Sequence, residues 1–79
     1  MVSDGSNKLV RMANQIADNF DYGGDHATAV AGVLDHLMRF WTMEMKQTIV
    51  EQQNQGDIGL NEIAAEAVKA LAEKIGQAA

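Results

Sequence analysis

The sequence predicts an all-α fold, a small bundle of about four short helices forming one domain over residues 1–79. Three observations lead there. The chain contains no proline, and its seven glycines fall mostly between apolar-periodic segments, only Gly32 lying well inside one. Apolar residues recur at i, i+3/i+4 and i+7 spacing, the period of one helix face. No run of β-branched residues alternates with period two, and no internal repeat is visible.

The first helix is expected over residues 6–20. Leu9, Met12, Ala13, Ile16 and Phe20 fall on one face, with Arg11, Asn14 and Asp18 opposite. Asp21-Tyr22-Gly23-Gly24 makes a turn, and Asp25 is the N-cap expected for a second helix over 26–40. Its stripe is Val30, Val33, Leu34, Leu37 and Trp41, and Asp35 and Arg39 pair at i, i+4 on the outer side. Thr42 caps a third helix that starts without a loop and ends near Gln55, with Gly56 beyond it. This helix carries two small apolar strips, Met45 with Ile49 and Met43 with Val50. One strip is expected on the core and the other free. Asn61 caps a fourth helix closed by Gly76, which buries Ala64, Ala67, Val68, Leu71 and Ile75 and turns Glu62, Glu66, Lys69 and Glu73 outward. Residues 1–5 and 77–79 are expected to fray.

Composition narrows the function. Of 37 apolar residues 12 are alanine, and only Phe20, Tyr22, Phe40 and Trp41 are aromatic. A core built from so little has scant room for an enclosed substrate chamber, which argues against a self-contained enzyme. With no cysteine, thiolate zinc sites, iron–sulfur ligation and thiol nucleophiles are excluded. A net charge of −5, spread over both halves, leaves no basic stripe for nucleic acid or an anionic membrane. The first residues show no signal-peptide pattern, so the expected location is cytoplasmic.

The candidate chemistry is sparse. His26 and His36 stand ten residues apart on one helix, ~15 Å along its axis, and cannot share a metal. His26 reads as a surface residue in a first helical turn. His36 lies at the margin of the apolar stripe, between Gly32 and Phe40. It reads as a half-buried histidine, or as a polar anchor in a subunit contact, with the bare backbone of Gly32 admitting another helix beside it. Asp18, Asp21 and Asp25 lack EF-hand spacing and are accounted for by helix end, turn and cap. Gly23-Gly24 has neither the strand nor the Lys-Ser/Thr of a phosphate loop. Ser3 and Ser6 have no base beside them. Met12 and Met38 are assigned to the core, Met43 and Met45 to a contact surface. Phe40 and Trp41 are assigned as the main core anchor, with Trp41 also able to present an edge to another subunit.

Two polar-rich blocks go beyond what an amphipathic bundle requires. These are Lys8-Leu9-Val10-Arg11-Met12-Ala13-Asn14-Gln15-Ile16-Ala17 and His36-Leu37-Met38-Arg39-Phe40-Trp41. On these blocks, residues 8–71 resemble the small delta subunit of NAD-dependent, molybdenum-containing formate dehydrogenases. The resemblance implies a non-catalytic accessory polypeptide that supports assembly or stability of a soluble complex by binding its large catalytic subunit. It implies no cofactor on this chain, with the molybdenum cofactor, iron–sulfur clusters, FMN and NAD on partner subunits. Arg11, Asn14, Gln15, His36, Arg39, Trp41, Met43 and Met45 are the residues expected to carry the partner contact or to fix the helices that make it. One departure stands out. After the tryptophan the family pattern has an acidic cap, proline and arginine, whereas this chain has Thr42, Met43 and Glu44. The competing reading is a stand-alone homodimeric module, with the free strip of the third helix paired with its own copy.

Overall fold

The computed structural model describes residues 4–21 and 24–78, and the side chains of 8–21 and 24–76. The helices are α1 (Asp4–Phe20), α2 (His26–Phe40), α3 (Met43–Gln55) and α4 (Glu62–Ala78), and the described residues include no strand. The all-α expectation holds. Asp25 and Thr42 are the caps anticipated. Asp25 Oδ2 accepts from Thr28 N at 3.2 Å, and Thr42 Oγ1 accepts from Met45 N at 3.1 Å. Asn61 Oδ1 accepts from Ala64 N at 2.8 Å, which satisfies an otherwise orphaned amide of α4.

Two boundaries differ. α1 starts at Asp4 instead of Ser6, because Asp, Ser and Asn all favour a helix start and the apolar spacing, which begins at Leu9, does not choose among them. α4 runs through Gly76 to Ala78. Glycine lowers helix propensity by ~1 kcal/mol but ends a helix only when it takes a left-handed conformation. Among the described residues the positive-φ glycines are Gly56 (φ 146°) and Gly59 (φ 91°), and both lie in the α3–α4 connection. The fraying expected at residues 1–3 and 79, Ser3, and the Tyr22-Gly23 part of the first turn lie outside the described residues.

The four helices close on one core, in which Val33, Leu37, Ile49, Val68 and Leu71 are fully buried. α2 and α4 pack most extensively against each other. α1 contributes its two fully buried side chains as alanines, Ala13 and Ala17, while Leu9, Met12, Ile16 and Phe20 lie half-buried around them. α1 therefore docks through small residues, which allow close approach, with larger ones sealing the rim. Gly32 serves that docking. A Cβ there would lie 2.6 Å from Cδ1 of Phe20, so the missing side chain admits the aromatic end of α1. The helix expected beside Gly32 is the chain's own.

α3 corrects the expectation of two separate strips. Met45, Ile49 and Val50 all pack against the core, and the face between them is completed by Lys46 and Gln53. Lys46 is only 7% exposed. Its Nζ donates to Met38 O in the last turn of α2 at 3.4 Å, a helix end that favours a cation. Gln53 Nε2 donates to Ala65 O of α4 at 2.9 Å. Two polar heads with carbonyl partners occupy positions that a hydrophobic pattern leaves blank.

Candidate interaction surface

The α2–α3 corner is built by a two-residue break. α2 ends at Phe40, and Trp41 caps it in an extended conformation (φ −86°, ψ 142°) while donating its N–H to Leu37 O. That change of direction separates two adjacent aromatics. Trp41 turns into the core and is 6% exposed, whereas Phe40 points outward and is 70% exposed. The joint core anchor read from sequence is therefore Trp41 alone. Met38 and Met43 are also largely exposed, at 42% and 49%, so Met38 is corrected from core to surface. Phe40 packs against the half-buried ring of His36 in a tilted contact (4.8 Å, 48°), and Arg39 Nε donates to Asp35 Oδ1 at 3.0 Å on the exposed side. The corner thus combines three large apolar side chains with one imidazole and one ion pair. Glu44 lies exposed in the first turn of α3, where a carboxylate is favourable and arginine would not be. The charge reversal suits this helix.

The other candidates divide. Arg11 and Gln15 are exposed and share the outer face of α1. Met45 is half-buried against the core and is a packing residue here. Asn14, half-buried, is engaged within the fold. Its Nδ2 donates to Gly59 O at 3.0 Å, and its Oδ1 accepts from Asn61 N at 2.7 Å. Asn61 Nδ2 in turn reaches Asn14 O and Asp18 Oδ1, both at 3.4 Å. Asn14 thereby holds the α3–α4 connection against α1. In the fold it acts as a residue that fixes helices.

Sequence reasoning passed over a second cluster. His26, the first residue of α2, donates its Nε2–H to Glu66 Oε2 on α4. This hydrogen bond raises the imidazole pKa above its ordinary 6.5, with smaller contributions from the charges of Glu66, Glu62 and Asp25, against an opposing desolvation. Beside it opens a groove of about 340 Å³ lined by Asp18, Asp21, His26, Asn61 and Glu62 among others. His26 and Glu66 are 40 residues apart, a separation that sequence periodicity does not register.

No curated protein and no solved structure matches the chain significantly. The profile of the NADH-dependent formate dehydrogenase delta subunit family, FdsD, matches residues 8–68. That span contains both polar-rich blocks, the α2–α3 corner and the Asn14 tie, and covers most of the chain. On that match, the chain belongs to the formate dehydrogenase delta-subunit family FdsD.

Proposed function

We propose that this chain is a non-catalytic accessory subunit that supports assembly or stability of a formate dehydrogenase complex by binding its large catalytic subunit through the α2–α3 corner. The observation that supports this most is Phe40, 70% exposed on a domain that can spare few aromatics, with Met38 and Met43 also exposed at the same corner. Aromatic and methionine side chains are enriched where protein partners bury surface. His36, packed against Phe40, and Arg39, held by Asp35, supply polar groups around it. On this reading the molybdenum cofactor, iron–sulfur clusters, FMN and NAD reside on partner subunits, and the complex works in the cytoplasm. The chain itself has no cysteine to ligate an iron–sulfur cluster. No helix among the described residues is long and apolar enough to cross a membrane.

Co-purification tests the reading. The tagged chain, recovered from its own cells under gentle salt, should bring down a large molybdenum-containing polypeptide. Phe40→Ser should lose that partner while keeping its helical circular dichroism. Recovery of the native chain without such a polypeptide would sink the proposal. The homodimer alternative needs an apolar strip on α3, and of its two members only Met43 is exposed while Val50 packs on the core. Light scattering should accordingly show no tight dimer at low concentration.

A further inference from the structure

We propose that His26, Glu62 and Glu66 form a binding site for a divalent transition-metal ion of the zinc class. The site does not depend on the docking surface. His26 and Glu62 are the first residues of α2 and α4, and Glu66 lies one turn beyond Glu62 on the same face. One ligand atom from each side chain lies within 4.8 Å of the other two. Around a tetrahedral ion with bonds of ~2.1 Å, ligand atoms stand ~3.4 Å apart, so modest side-chain rotations would close the triad. Those side chains rise from two helices that pack against each other, so the backbone need not move.

The donor set selects the metal. One imidazole nitrogen and two carboxylate oxygens suit zinc and its neighbours. Magnesium and calcium demand six or more oxygens, which three side chains including a nitrogen donor do not offer. The adjoining groove is the independent observation. It opens at His26 and Glu62, leaves room for water at a fourth position, and is lined by the further carboxylates Asp18 and Asp21 without any lysine or arginine. Two helix N-termini oppose a cation at this point. The carboxylates of Glu62, Glu66, Asp18 and Asp21 supply the compensating charge. A plain surface ion pair would need Glu66 alone, and the approach of a carboxylate oxygen of Glu62 to within 4.8 Å of both other ligand atoms is what marks a chelating arrangement.

The test uses the full-length, tag-free chain, stripped with a chelator and titrated with Zn²⁺ by calorimetry. Saturable binding of one ion per chain at low micromolar concentration is expected, with no competition from excess Mg²⁺. Cobalt(II) should give the intense visible absorption of a low-coordinate site. Glu62→Gln and Glu66→Gln should each weaken binding at least about tenfold, and His26→Ala should abolish it. His36→Ala, at the far end of α2, should leave it unchanged. All four variants are read alongside circular dichroism, and His26, Glu62 and Glu66 are exposed residues whose replacement leaves the core intact. Uptake only at millimolar Zn²⁺, or uptake that survives His26→Ala, would overturn the proposal.

Discussion

Asn14 is a half-buried polar side chain that hydrophobic period puts on the outer face, and Lys46 a buried one that it leaves unassigned. Each has a strong hydrogen-bonding head that finds backbone carbonyls or amides on another segment. Periodicity misses both because it weighs side-chain polarity and cannot see a partner on another segment, 45 residues away for Asn14 and across the α2–α3 corner for Lys46. Removing such a head at a half-buried site forfeits the net worth of its hydrogen bonds, about 0.5–1.5 kcal/mol. Asn14→Ala should therefore lower stability by that amount, seen as a lower denaturant midpoint with little change in slope. An undiminished midpoint would mean that water replaces the amide at Gly59 and Asn61. The family-distinctive character of Asn14 was legible from the residues around it, but its inward role needed the fold.

At the scale of elements, three helix starts beyond the first were legible because each is announced by a side chain with a specific task. Asp25, Thr42 and Asn61 all accept from the amide three residues on. Thr42→Ala should cost about 1 kcal/mol in thermal denaturation, and Thr42→Ser should recover most of it. The α2–α3 corner shows where such reading stops. Successive residues on a helix differ by a fixed rotation, but Trp41 has left helical geometry, so the period of α2 no longer tells which way its ring turns. Core burial then separates neighbours that sequence treats alike. Trp41→Ala should cost about 3–5 kcal/mol by opening a cavity. Phe40→Ala should change stability by no more than about 0.5 kcal/mol, since its ring contributes mainly exposed surface. Equal losses from both substitutions would mean that Phe40 is a core residue after all.

For the whole molecule, the all-α class followed from composition and spacing, while the way the helices are clasped did not. His26 and Glu66 join the start of α2 to α4 at the broadest helix contact of the bundle. Because the folded imidazole has a raised pKa, its stabilising contribution is fully present below the unfolded value of 6.5 and is lost as pH climbs through the folded value. In metal-free buffer, the melting temperature of the native chain should exceed that of His26→Gln most at about pH 6 and by progressively less towards pH 9. A gap that is constant across this range would show that the pairing does not depend on the imidazole charge.

The Asn14 tie also bears on how the chain can be made. Its acceptor and donor, Gly59 and Asn61, come 45 and 47 residues later. α2 can receive the Phe20 end of α1 early, but this tie closes only once most of the polypeptide has left the ribosome. Local helix formation can begin early, but completion awaits a long-range closure between the two ends. A nascent chain halted before Gly59 would thus carry an α1 that lacks its polar latch and its share of the α4 packing.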